Sequence, residues 1–210
     1  MSTTDPSTLP TSPAVSFPSG VPVLTDGAVT LRAHSVDDAD RIVQQCLDPE
    51  SIRWTTVPLG YTVEMAHEYL DEIRAGWQLP DATRAWVIAA AQDPDTFLGS
   101  IDIRPKGAGI ASVGFGLHPQ GRGRGLMTAA LRLATRWWFE QGGLRVHWMA
   151  FRGNHASWRV AHACGFTFHG ILPEHHDHRG TPVDEYLASV GRADDLSPQG
   201  PYRSPEDLLF

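Results

Sequence analysis

Along the chain the hydrophobic repeat switches several times between two residues and three to four. Val29-Thr30-Leu31-Arg32 alternates and predicts a short strand. Ser35 followed by Asp38 has capping-box spacing, with Asp where Glu or Gln is usual, and predicts a helix to about Leu47. Thr62 can cap a second helix, in which Ala66, Tyr69, Leu70, Ile73 and Trp77 recur at three- and four-residue spacing. The intervening stretch 52–61 is too polar and irregular to predict an element. Residues 84–91 and 97–104 predict two strands joined by Asp93-Pro94-Asp95, and a third strand begins at Ala111 after Pro105-Lys106-Gly107. Met127, Ala130, Leu131, Ala134 and Trp138 form the stripe of a helix that stops at Gly142-Gly143. Residues 145–150 predict a strand, Asn154 or His155 opens a helix ending near Cys164-Gly165, and 166–172 and 183–191 predict two last strands. The Ser-, Thr- and Pro-rich segment 1–22 is expected to be disordered and 194–210 to be a loosely held tail, leaving one domain over 23–193. An antiparallel meander followed by one helical crossover implies an α+β fold: a mixed, mostly antiparallel central sheet with helices on both faces.

Composition narrows the picture modestly. A chain of 210 residues holds one full domain with a sizeable core. The formal charge of -7 and pI near 5.7 argue against a general nucleic-acid binder. Cys46 and Cys164 are too far apart in sequence for a metal or redox motif, which fits a reduced, cytoplasmic setting. The apolar runs are shorter than a bilayer span, and the N-terminus lacks the pattern of a signal peptide, so no membrane partner is expected.

The chemistry concentrates between Ala111 and Ala130. Ser112, Val113, Phe115 and Leu117 are strand-like, and Pro119 ends the pairing because it has no N–H. Gly121, Gly123 and Gly125 then uncover the backbone just before a helix, where unpaired N–H groups and the helix dipole favour an anion such as phosphate. Leu126 stands where a dinucleotide fingerprint needs its third glycine, and no Gly-Lys-Ser/Thr follows. The pattern that fits is Gln-x-x-Gly-x-Gly, written by Gln120, Gly123 and Gly125. In this loop, and in its element order over 29–192, the chain resembles the GNAT superfamily of N-acetyltransferases. Within it the chain is most similar to the RimJ/RimL ribosomal-protein type. That similarity rests on Thr30-Leu31-Arg32 with Asp37-Asp38-Ala39, on Arg53-Trp54 to Tyr61-Thr62, and on Asn154-x-x-Ser157 leading into Cys164-Gly165-Phe166.

The resemblance implies a GNAT fold with splayed strands around an acyl-CoA site, and direct attack of an amine on acetyl-CoA. It places acetyl-CoA on Leu117, His118, Gln120, Gly121, Arg122, Gly123, Arg124, Gly125 and Leu126, with Asn154 on the pantetheine arm. Ser157 would protonate the leaving thiolate; the position where many relatives carry a tyrosine acid is Ala161. Asn154 and Ser157 also suit a plain helix start. Asp102 is the candidate general base, with His118 and His147 as alternatives. Arg53, Trp54 and Tyr61 would line the acceptor entrance, a hydrophobic staple being the other role open to the aromatic pair. The run Glu174 to Gly180 holds three histidines; its spacing suits a solvated hairpin loop bordering the acceptor groove better than a metal site, and no metal is expected. The leading acceptor is a protein or peptide α-amine, with a small amine or aminoglycoside-like compound as the alternative. Other readings are an acyl-CoA sensor without turnover and, from Gly121 to Gly125, an arginine-glycine RNA segment, which occurs once where such segments repeat. A homodimer is compatible with the resemblance; the sequence selects no oligomeric state.

Overall fold

A computed structural model describes residues 15–18 and 20–209. Eight strands form one sheet in the order β1-β2-β3-β4-β5-β6-β8-β7. They are β1 (Leu24–Thr25), β2 (Val29–Arg32), β3 (Arg84–Ala90), β4 (Gly99–Gly107), β5 (Ile110–Leu117), β6 (Arg145–Phe151), β7 (Thr167–His178) and β8 (Thr181–Gly191). Every neighbouring pair is antiparallel except β5 and β6, which are joined through α4 (Leu126–Glu140). The other helices are α1 (Ala39–Leu47), α2 (Pro49–Trp54), α3 (Val63–Gly76) and α5 (His155–Ala163). The mixed α+β architecture matches the expectation from the hydrophobic pattern.

Strand alternation divides the core between two faces. Ile101 and Ile103 of β4 and Val146 and Trp148 of β6 pack with Ala130, Leu131, Ala134, Trp137 and Trp138 of α4. On the opposite face Ala39, Ile42 and Cys46 of α1 and Ala66 and Leu70 of α3 close over Val87 and Phe97. The Ser35–Asp38 capping box forms, and Arg32 grips the Asp38 carboxylate at 2.8 Å, fixing β2 to the start of α1.

Four local expectations are revised. Residues 49–54 make the helix α2, which runs into the stretch 52–61 where no element was expected, because the Asp48 side chain accepts the Ser51 N–H and Pro49 occupies the first turn, where a missing N–H costs nothing. The β7–β8 hairpin extends to a turn at Arg179-Gly180, so the histidine run belongs to a strand and not to a loop. Within the segment expected to be disordered, 1–14 and 19 lie outside the described residues, but Phe17 stacks on Trp137 and Trp138, and Pro22 accepts the Trp86 indole N–H. The tail is also held: Leu196 accepts from Arg132, Arg203 from the Trp158 indole, and Glu206 pairs with the Tyr186 hydroxyl. Each segment supplies the carbonyl that a buried indole N–H requires, Pro22 for Trp86 and Arg203 for Trp158.

Candidate active site

The parallel ladder between β5 and β6 runs from Ile110↔Arg145 to Val113↔Trp148 and stops. Beyond it β5 continues through Gly114, Phe115, Gly116 and Leu117 while β6 continues through Met149, Ala150 and Phe151, paired only to their outer neighbours β4 and β8. The sheet is therefore forked. The His118 N–H donates to Leu98 O at 3.0 Å, which makes Gly99 and Leu117 a non-hydrogen-bonded pair of the antiparallel ladder. The N–H groups of Leu117 and Phe115 consequently point away from β4 and into the fork.

The loop after β5 has two halves with different work. In the first, the Gln120 N–H donates to His118 Nδ1 (3.2 Å), the Gly121 N–H to His118 O (2.8 Å) and the Arg122 N–H to Pro119 O (3.3 Å). In the second, the N–H groups of six successive residues, Gly123 to Thr128, have no acceptor among the described residues. Gly123 and Gly125 hold left-handed φ values of 72° and 76°, and a Cβ on either would meet nothing within 4 Å. Six free donors at the first turn of a fifteen-residue helix, over open space, form a site for a polyanion.

The resemblance places acetyl-CoA on Gln120, Gly121 and Arg122 as well, but their amides are consumed by the turn. Gln120 contributes its side chain instead, accepting from Arg41 at 3.0 Å, while Arg41 also donates to Phe97 O. Arg122 is ion-paired with Asp48, whose carboxyl it holds below the usual range, and so ties the loop to the α1–α2 junction. His118 is buried, accepts the Gln120 N–H at Nδ1 and faces Gln44 Oε1 from Nε2 at 3.1 Å. Burial, then Arg41 and Arg122, depress its pKa. A neutral imidazole with both nitrogens engaged holds the loop and is no base. Arg124 remains exposed, with no partner among the described residues.

Asp102 pairs with Gly114, the first β5 residue past the last β5–β6 pair, and shares the α1/α3 face with Ser100 and Arg104. Its carboxylate meets Arg104 at 2.7 and 2.9 Å, and burial raises its pKa. A Cβ at Gly114 would lie 2.4 Å from Arg104 Nη2 and 3.0 Å from Asp102 Oδ2, so the carboxylate overlies a bare stretch of strand at the fork. Gln45 of α1 overlooks the next bare position, Gly116, and its buried Oε1 has no partner among the described residues, a feature with no local signal in the sequence. His147 pairs with Ser112, below the vertex, and its pKa is depressed mainly by burial.

Ser157 lies on the opposite face. Its hydroxyl accepts the indole N–H of Trp148, the last paired residue of β6, at 3.0 Å, which leaves its own proton free to donate. Asn154 Oδ1 caps α5 through the Ser157 N–H at 3.1 Å, while its amide N–H groups have no partner among the described residues.

A groove of about 460 Å³ adjoins the β6 arm of the fork, between Arg53 and Trp54 of α2, Phe151 and Arg152 at the end of β6, and His178 and Asp184 of the hairpin. The hairpin tip closes against the α2–α3 connection, Arg179 donating to Thr55 O and Val57 O. Tyr61 is not part of this groove. It packs with Val57 against the α1/α3 cluster and donates to Met65 O, its pKa pushed up to about 12 by burial, so of the aromatic pair it is the staple and Trp54 the groove wall. Among the described residues no group of three or more His, Cys, Asp or Glu side chains is arranged to hold a metal ion.

A sheet forked between its parallel strands, with free amides at the fork's mouth, is the framework of an acyl-CoA-dependent transferase. A profile of the GNAT acetyltransferase domain matches residues 28–167, and the chain belongs to that family, an N-acetyltransferase drawing on acetyl-CoA. Solved structures with the same fold include RimJ of Mycobacterium smegmatis in complex with CoA-disulfide (20% identity, TM-score 0.70, 84% of this chain and 90% of that one). Another is the ribosomal L7/L12 α-N-protein acetyltransferase RimL in complex with coenzyme A (18%, 0.70, 81% and 97%). The microcin C7 self-immunity acetyltransferase MccE, in complex with acetyl-CoA and AMP, is a third (17%, 0.71, 80% and 93%). No curated protein matches the chain. Acetyl-CoA fits the site: the amides of Gly123 to Thr128 match a diphosphate, and the unpaired edges of β5 and β6 match an amide-bearing arm.

Proposed function

We infer that the chain acetylates a primary amine, the α-amine of a protein or peptide being the leading acceptor. The observation that carries this is the run of six unpartnered amides, Gly123 to Thr128, at the mouth of the fork. These amides hold the diphosphate, with Arg124 at the rim, and the free Asn154 amide bonds the pantetheine arm. When bound, acetyl-CoA supplies the thioester carbonyl that an amine attacks. The Leu117 N–H offers a preorganised donor to an oxygen that gains negative charge during acyl transfer. Asp102, its pKa raised by burial, removes a proton from the incoming ammonium, directly or through water, on the α1/α3 face. Ser157, on the α5 face, gives its proton to the departing sulfur while the Trp148 indole steadies the oxygen. Acid and base thus stand on opposite faces of the sheet, so neither blocks the other's approach.

A peptide acceptor is supported by the groove beside the fork, which is open along the hairpin, and by RimJ and RimL among the structural neighbours. A small amine is the second reading; the neighbour MccE was solved with a small molecule, AMP, beside acetyl-CoA. The test is release of free CoA thiol with peptides bearing free N-termini, beside polyamines and aminoglycosides. Turnover with the peptides alone supports the first reading, and turnover confined to the small amines overturns it.

A further inference from the structure

The groove carries a charge pattern as well as a shape. Its one lining carboxylate, Asp184, is committed, accepting from Arg152 at 3.1 Å and from the Glu174 N–H at 3.0 Å. Glu50, just outside, accepts the Trp54 indole N–H at 2.9 Å. His178 is kept neutral by burial and then by Arg179 and His176, and Arg179 itself is spent on backbone carbonyls. Arg53 differs from all of these. Its guanidinium lies 4.6 Å over the Trp54 ring, comes no nearer than 4.0 Å to Glu50, and donates no hydrogen bond among the described residues. Stacking sets the plane of the guanidinium without using its N–H groups, so a fork of donors is left toward the groove. The Trp54 ring in turn lies 3.6 Å from the Cβ position of Gly153, next to Asn154, which couples this cation to the acyl-transfer end of the molecule.

A planar guanidinium with free donors recognises carboxylates in bidentate fashion. Resting on the transferase reading above, we propose that the groove selects acceptors in which a carboxylate side chain follows the reacting α-amine, that is, acidic peptide N-termini, and that Arg53 is the specificity-determining residue. The chain's overall charge of -7 would favour cationic acceptors, but charges more than about 8 Å from the groove are largely screened at physiological salt. The nearby Arg53 decides.

The test measures kcat/KM for peptides of one length beginning Ser-Asp, Ser-Ala and Ser-Lys, and for free glutamate, with the wild type, Arg53→Lys and Arg53→Glu. Because the Arg53 side chain is 66% exposed, both variants should fold, which circular dichroism checks. In the wild type the acidic peptide should exceed the lysine peptide about tenfold, the scale of one charge-assisted hydrogen-bonded pair. Arg53→Lys should keep part of that preference and Arg53→Glu should reverse it. Equal rates across the three peptides, or an order unchanged by Arg53→Glu, overturn the proposal. Free glutamate acetylated as well as the acidic peptide overturns the peptide as the occupant. No turnover of any peptide by an enzyme that still binds CoA in calorimetry is a distinct result: it removes the peptide-acetyltransferase reading, and this inference with it.

Discussion

Two half-buried side chains show how single residues set stability and rate. His34 lies between Tyr69 and Phe97, with Nε2 3.2 Å from Ser100 Oγ and Nδ1 without a partner among the described residues, and burial lowers its pKa from 6.5 to about 4. A histidine depressed in the folded state contributes stability that is full above the unfolded pKa and is lost as pH falls through 6.5 toward 4. Unfolding by urea should therefore cost about 2 kcal/mol less at pH 5 than at pH 7.5 on this account, and the difference should shrink by that amount in His34→Gln. An unaltered pH dependence in the variant would show that His34 already titrates normally. Ser157 bears on rate instead. Ser157→Ala should lower kcat by about 10² or more while the KM for acetyl-CoA changes little, since a proton donor acts on the leaving group and the amide loop is intact. Ser157→Thr, which keeps the hydroxyl, should recover much of the loss. Unchanged turnover in Ser157→Ala would give that proton to water.

At the scale of the element, the glycine loop is a short rigid turn followed by an open cradle. Gly123→Ala places a Cβ in free space but at a φ of 72°, so it should cost about 1 kcal/mol of stability and leave CoA affinity within a few-fold. Gly123→Glu bears the same backbone cost and adds a carboxylate beside six amides, so calorimetry should show CoA binding lost in a folded protein. Equal affinities for the two variants would move the diphosphate elsewhere. The cradle was legible in the sequence because glycine spacing and a following helix are local signals. What holds it was not. Gln120, His118 and Arg122 each find their partner on or beside α1, in Arg41, Gln44 and Asp48, more than seventy positions earlier. A glutamine or arginine in a sequence does not say whether it faces a ligand or a distant helix. The α2 helix, three of whose six residues are polar or charged, was hidden by the same limit, since the Asp48 cap and Pro49, not an apolar stripe, define it. The groove combines that helix with a hairpin far away in sequence, so Arg53 and Trp54 could be nominated but Phe151, Arg152 and Asp184 could not.

At the scale of the whole molecule, the tail links fold to chemistry. Trp158 is 1% exposed, and its indole N–H depends on Arg203 O; the same ring lies 5.7 Å from Trp148, whose indole holds Ser157. Tyr186, bonded to Glu206 in the tail, accepts the Gly153 N–H at the entry to α5, and Arg132 reaches from α4 to Leu196 O. A chain ending at Asp195 would leave the Trp158 donor buried and unpaired and would strip the Tyr186 and Arg132 contacts, a combined cost of roughly 3–5 kcal/mol. For a protein of this size that is a fall in Tm of about 10 °C. The loss should also be selective. Because the amides of Gly123 to Thr128 draw nothing from the tail, CoA affinity measured below the new Tm should stay within about twofold, while kcat should drop as α5 and Ser157 lose their backing. A truncated enzyme with full kcat and an unshifted Tm would mean that α5 is positioned by the sheet alone; one that loses CoA affinity and kcat together would mean that α4 and α5 move as one body, with the tail bracing both.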